Sequence, residues 1–215
     1  MNDLLIANIL SQGRFAVSGE ALVETAIERY GAADARLLVP QAEGKSGFIV
    51  AVGHVHLLIA THDYAMPPEA EPLRATGSKV QKTSTDHLSH VKAGVIKMPG
   101  DYTGKRLAAL ALVQVVAALT EEPGVFAVHW SSSQTELSSS QFRDLVAQWT
   151  ASPGEVPIGL FARVMAYRNG FEGTTPRVGL YGVGFRPFLG RDIEFAASAR
   201  PLQEWPAASS SSRGG

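Results

Sequence analysis

The chain has 215 residues, a formal net charge of −1 and no cysteine. The length suits one large domain or two small ones, and 45% hydrophobic with 18% charged residues is typical of a globular protein. The balanced charge gives no overall attraction for nucleic acid or for an anionic membrane. The lack of cysteine excludes disulfides, thiolate metal sites and cysteine nucleophiles.

Neither a signal peptide nor a membrane span is predicted. The first ten residues contain no lysine or arginine, whereas a secretory signal begins with a basic segment. The longest apolar run, Leu107–Leu119, is interrupted only by Gln114 and is shorter than the ~20 residues that cross a bilayer. We therefore expect a cytoplasmic protein that binds neither nucleic acid nor membrane.

Apolar runs and helix-capping residues predict the elements of the first half. Gly19–Tyr30 has apolar residues at helical spacing, preceded by Ser18 as N-cap and followed by Gly31 as C-cap. Short strands are predicted at Leu4–Leu10, Arg36–Pro40, Phe48–Val52, Val55–Ala60 and Val91–Lys97. The third and fourth of these strands are joined by Gly53-His54, which predicts a two-residue hairpin turn.

The second half is organised around the apolar segment Gly100–Glu122, which predicts a central buried helix, with Leu107, Leu110, Val113 and Leu119 close-packed. Asp101 or Thr103 can cap its start. Ser138 and Gln141 have the spacing of a capping box at the start of another helix. Strands are predicted at Val125–Trp130, Ile158–Tyr167, Arg177–Arg186 and Ile193–Ala197.

These elements predict an α+β fold, because loosely alternating helices and strands are combined with hairpins that require antiparallel pairing. We expect a mixed, mostly antiparallel sheet or pair of sheets and a central buried helix. Residues 1–206 are predicted to form a single compact domain, with an open alternative of two halves at 1–98 and 99–206. Residues 207–215 are rich in serine and predict a disordered tail.

Five of the six histidines lie between positions 54 and 90. His54 and His56 share one side of a strand, so with His62 or His90 they predict a site for zinc or iron, the metals that imidazole ligands suit. The plainer interpretation is a hairpin edge with ordinary histidines. Ser131, two residues after His129, raises a second possibility of a serine nucleophile with a histidine base, but no Gly-x-Ser-x-Gly motif surrounds it.

Arginine and tyrosine side chains on the two long predicted strands indicate a protein-binding surface, since these residue types dominate interface energetics. The candidates are Arg163, Tyr167, Tyr181 and Arg186, with Trp130 at the end of a neighbouring strand. A solvent-facing sheet with mixed polar residues would show the same pattern. A shift of one residue in register would move every one of these side chains to the opposite face.

The second half also resembles a known bacterial family. The pattern is a strand ending near Lys97, the buried helix Gly104–Glu121, and Val125–Trp130 followed by serines. It continues with Phe142-Arg143-Asp144-Leu145 and with Ile158–Tyr167 beside Tyr181-Gly182-Val183-Gly184-Phe185-Arg186. Over residues 91–201 this resembles the family called domain of unknown function 4261. The resemblance implies a bacterial, cytoplasmic α+β protein and supplies no catalytic residues.

Two classes of function follow from these observations. The first is a non-enzymatic binding protein without a cofactor, whose partner is another protein; one version is an immunity-type antagonist of a bacterial toxin. The second is a small metal-dependent enzyme that uses histidines of the segment His54–His90.

Overall fold

The computed structural model describes residues 5–40, 46–66, 73–74, 87–150 and 158–199. The predicted tail at 207–215 lies outside these ranges. The helices are α1 (Gly19–Tyr30), α2 (Tyr102–Leu119), α3 (Ser139–Thr150), α4 (Ile158–Phe161) and α5 (Arg186–Leu189). The strands are β1 (Ile6–Ser11), β2 (Ala35–Val39), β3 (Gly47–Val52), β4 (Val55–His62), β5 (Leu73–Arg74), β6 (Ser89–Lys97), β7 (Val125–Trp130), β8 (Thr135–Ser138), β9 (Arg163–Glu172), β10 (Thr175–Val183) and β11 (Ile193–Ser198).

The strands form two sheets. Eight of them pair in the order β2-β3-β4-β6-β1-β7-β8-β5, and the last three pair in the order β11-β10-β9. The ladders of the described residues are antiparallel except for the pairing of β5 with β8. The predicted α+β class is confirmed. Because β1 pairs with both β6 and β7, the two predicted halves share one sheet, and the chain forms a single compact domain.

The helix boundaries follow from the capping residues. The Ser18 hydroxyl accepts a hydrogen bond from the backbone N–H of Ala21, and Gly31 ends α1 in the left-handed conformation. Asp101 caps α2 by accepting from the N–H of Gly104 at 2.7 Å. At the start of α3, the Ser138 hydroxyl accepts from the N–H of Gln141 at 3.3 Å. The predicted caps of all three helices are confirmed.

The core lies between the large sheet and helices α1 and α2. A row of side chains on one face of the sheet, formed by Ile9, Val91 and Val128, is fully buried. α2 supplies Val113 and Leu119, which are also fully buried, but Leu110 is half-buried and Leu107 is 50% exposed. The prediction for Leu107 was wrong because it lies in the first turns of α2, on the side turned away from the sheet.

The buried character of α2 explains its apolar composition. It is long and apolar enough to pass for a membrane span by those two criteria alone, and 67% of it is buried inside the protein. A buried core helix has the same composition as a spanning one, so this composition is weak evidence for a membrane.

Two predicted strand boundaries were wrong. Ile158–Tyr167 begins with α4, and its strand starts only at Arg163. The hydroxyls of Ser132 and Ser133 donate to the carbonyls of Phe161 and Leu160 at 3.0 and 2.9 Å, so the helical turn has partners for its last carbonyl groups. Arg177–Arg186 is interrupted by Gly184 at a φ of +82°, and Arg186 begins α5.

Candidate functional site

The three strands β9, β10 and β11 form a small sheet, which we call the arm (residues 163–198). Its register defines two faces, because residues paired across strands point to the same side. The first, the tyrosine face, carries Arg163, Met165, Tyr167, Tyr181 and Glu194. The second, the aliphatic face, carries Val164, Ala166, Leu180, Ile193 and Phe195.

Tyr167 connects all three strands of the arm. It stands opposite Gly179 on β10, and a side chain at position 179 would meet the Tyr167 ring at 2.4 Å. Its hydroxyl donates to Glu194 Oε1 on β11 at 2.8 Å, and this hydrogen bond raises the pKa of Tyr167. The side chain predicted for partner binding therefore holds the arm together.

The other predicted binding residues are not equally placed. Arg163 and Tyr181 do share the tyrosine face with Tyr167, as expected, and Arg163 is half-buried while Tyr181 is exposed. Arg186 lies off the sheet, because β10 ends at Val183 and Arg186 opens α5. Three of the four residues predicted on this strand pair therefore share one face of it.

Trp130 is a core residue and presents no surface to a partner. Its side chain is 0% exposed, with ring centroids 4.8 Å from Phe161 and 5.8 Å from Phe142. It points to the helix-covered side of the large sheet, because Trp130 and the buried Val128 are two residues apart on one strand. Its placement on a binding surface was wrong.

The exposed apolar surface of the arm lies on the aliphatic face. Val164 is 56% and Phe195 is 48% exposed, and Phe171 near the hairpin turn is exposed as well. The aliphatic residues occupy alternate positions on β9 and β10, and this alternation was visible in the sequence. The predicted arginine and tyrosines Arg163, Tyr167 and Tyr181 lie on the other face.

The arm is basic, although the chain is weakly acidic. Residues 163–198 contain five arginines and three carboxylates, a net charge of +2, so the rest of the chain carries −3. Arg168 stands opposite Val178 in the ladder and continues the row of Val164 and Ala166, so a positive charge flanks the aliphatic face.

The predicted metal set His54, His56 and His62 does not come together. All three lie on or beside β4, and six residues of extended chain between His56 and His62 span ~20 Å. His54 is in the turn before the strand, whereas His62 is at its far end. No group of three or more residues suited to a metal ion is found in the part of the chain that the structure describes.

A different group of histidines is brought together at the end of β4. The rings of His62 and His90 stack with centroids 4.6 Å apart, and His87 meets His90 edge-on at 5.9 Å. His90 Nδ1 lies 3.0 Å from the carbonyl of Tyr64, and His87 Nε2 accepts from the N–H of Met66 at 2.6 Å. These bonds attach the chain after β4 to β6 and to the residues just before it.

Burial lowers the pKa of His90, and the neighbouring His62, His87 and Lys92 lower it further. A neutral His90 donates its Nδ1 hydrogen to the Tyr64 carbonyl. The cluster is therefore a set of packed imidazoles in which the pKa of His90 is lowered.

Ser131 and His129 belong to a buried polar network that the sequence pattern did not reveal. Asn8, on the neighbouring strand β1, donates from Nδ2 to Ser131 Oγ at 3.0 Å and lies 3.5 Å from His129 Nδ1. Glu136 stands directly opposite His129 in the β7–β8 ladder and is 0% exposed. Only the strand order, which brings β1, β7 and β8 side by side, places these residues together.

The chain matches no family model, no curated protein and no solved structure. The resemblance to domain of unknown function 4261 stays a prediction from the residues.

Proposed function

We propose that this chain is a protein-binding protein, and that the aliphatic face of the arm contacts its partner. One observation carries this proposal: a three-stranded sheet leaves a row of apolar side chains exposed, with Val164 and Phe195 about half accessible. Apolar sheet faces are normally covered by another layer of structure, and exposed apolar patches are typical of interaction sites.

The charge of the arm indicates the chemistry of the partner. With five arginines against three carboxylates, the arm favours a protein whose apolar contact surface is flanked by acidic residues. Charge complementarity of this kind speeds association and selects partners. In the immunity-type role expected from the sequence, this same face would bind a bacterial toxin. The identity of the bound protein decides whether the chain has that role.

The test compares three forms of the full chain as bait in cell extract, followed by titration of the purified partner. The arm variant is Val164→Asp with Phe195→Asp. The control, Leu58→Asp with Leu88→Asp, adds the same two charges at exposed apolar positions in β4 and directly before β6. Circular dichroism melts verify that each variant is folded.

We expect the arm variant to weaken binding of the partner at least tenfold, which is about 1.4 kcal/mol, and the control variant to bind within twofold of wild type. Arg168→Glu should also weaken binding, and added salt should weaken the wild-type complex because the attraction is partly electrostatic. Equal binding by the arm variant, or no partner specific to the wild-type bait, contradicts the proposal. A wild-type dimer that the arm variant converts to monomer would show that a second copy covers the face, and would also overturn it.

A further inference from the structure

A groove runs along the edge of the large sheet, which is a separate sheet from the arm. It lies between α1 and β2, has a volume of about 490 Å³, and opens to the surface. Its apolar lining comes from Val23, Ile27 and Leu37. Glu20, Glu24 and Glu28 form its acidic rim.

One wall of this groove is β2, the terminal strand of the large sheet, which pairs with β3 on one side. Among the residues that the structure describes, no strand pairs with its other side. The backbone N–H and C=O groups there are left for a further strand, and such edges bind extended chains. Leu38 and Val39 of this strand are 42% and 47% exposed, so apolar surface continues past the groove.

The other wall is a row of carboxylates. Glu20, Glu24 and Glu28 are spaced by four residues and lie on one side of α1. All three are exposed, and no ion pair to Glu24 or Glu28 is present among the described residues. Repeated like charges at this spacing destabilise a helix slightly, so a cationic ligand would relieve a repulsion as well as form new contacts.

The two sides of an added strand would meet different charges. Ala35 and Leu37 face the helix, as the contact of Leu37 with position 19 on α1 shows. Arg36 lies between them in the strand, so its side chain leaves the strand on the opposite side, although Arg36 also contributes to the lining of the groove. A lysine or arginine on the added strand is favoured on the helix side, beside the glutamates, and is disfavoured on the side of Arg36.

We propose that this groove binds an extended segment of a partner protein as an added strand on β2, with basic residues alternating with apolar ones. The basic side chains would lay their methylene groups on Val23 and Ile27 and place their charges near Glu24 and Glu28. The apolar side chains would lie on the opposite side, next to Leu38. This interaction does not use the arm, so its test is independent of the test of the proposed function.

The first test is a titration by fluorescence anisotropy with a labelled peptide, acetyl-Lys-Val-Lys-Val-Lys-Val-Lys-amide. The comparison peptide has glutamate in place of lysine. We expect the lysine peptide to bind at least tenfold more tightly, and Glu24→Lys with Glu28→Lys to weaken its binding at least tenfold. The matched control, Glu172→Lys with Asp192→Lys, makes the same charge change on the arm and should bind as wild type.

The second test reports on strand addition itself. Amide hydrogen exchange of Ala35–Val39 should slow when the lysine peptide is bound, because the free edge becomes paired. Binding without protection of β2, equal binding of the two peptides, or no saturable binding at millimolar peptide overturns the proposal. Self-association of the chain that protects the amides of Ala35–Val39, with no binding of the lysine peptide, would show that a second copy occupies the groove, and overturns it too.

The arm variant Val164→Asp with Phe195→Asp separates this proposal from the proposed function. It should bind the lysine peptide as tightly as wild type while losing the partner of the arm. Loss of peptide binding in this variant would show that the peptide binds the arm and not the groove.

Discussion

The large sheet and the arm differ in where their apolar side chains lie. In the large sheet, Ile9, Val91 and Val128 form a row that is fully buried beneath helices. In the arm, Val164 and Phe195 occupy a comparable row and remain about half exposed. Burying a valine or phenylalanine contributes ~1.5–3 kcal/mol to folding, so the first row stabilises this chain and the second contributes much less of that free energy to its folding.

The largest difference between the two regions should appear at Trp130. Trp130→Ala removes a fully buried ring that packs on Phe142 and Phe161, and it should lower the unfolding free energy by about 3–5 kcal/mol. Urea denaturation followed by circular dichroism measures the change, since the substitution removes a fluorophore. A loss below 1 kcal/mol would mean that the core is not centred on this ring.

The junction between the two regions should be the next most sensitive. Gly184 has a φ of +82°, and a side chain there would come within 2.0 Å of the Phe161 carbonyl oxygen, so Gly184→Ala should cost about 2–3 kcal/mol. Gly190 has a φ of +71° with no atom within 4 Å. Gly190→Ala should therefore cost about 1 kcal/mol, and equal losses would show that the close contact at position 184 is unimportant.

A smaller effect is expected at a helix cap beside the large sheet. Ser138→Ala removes the hydroxyl that accepts from the N–H of Gln141, and it should cost about 1 kcal/mol. Thermal melts by circular dichroism would detect this as a drop of a few degrees. Ser138→Asp, which keeps an acceptor at the N-terminus of α3, should retain most of the stability, and an equal loss in both variants would argue against the cap.

The histidine cluster should make the stability of the large sheet depend on pH. Because the pKa of His90 is lowered below 6.5 in the folded chain, the unfolded chain takes up a proton first as the pH falls. The unfolding free energy should therefore decrease from about pH 6.5 downwards, until the folded chain is protonated too. His90→Gln should reduce this slope, with His54→Gln in the exposed turn as the control; an unchanged slope in His90→Gln contradicts the assignment.

Local signals predicted most of the fold. Ser18 and Gly31 bound α1, and the apolar run Val125–Trp130 is a strand at the predicted positions, because caps and short apolar runs act within a few residues. Which face of the arm is exposed was harder to predict from the sequence. Which side of β9 is covered depends on the register with β10 and on what packs against the sheet, and neither is a property of one strand.

The candidate sites show the same limit. His62, His87 and His90 meet because β4 and β6 are neighbours, and Asn8 reaches Ser131 across 123 positions of sequence. Spacing along the chain instead suggested His54 and His56, which the length of β4 separates from His62. The groove beside β2 exists because β2 is the last strand of the sheet. No residue pattern within β2 predicts that position.

The most direct test of the central claim is the unfolding free energy of the double variant Val164→Thr with Phe195→Thr, measured by urea denaturation. Threonine keeps a good strand former at both positions and removes much of the exposed apolar surface. If the aliphatic face is as exposed as the accessible fractions of Val164 and Phe195 indicate, the variant should unfold within about 0.5 kcal/mol of wild type, as surface substitutions do. A loss of 2 kcal/mol or more would show that this chain already covers the face, and would contradict the account.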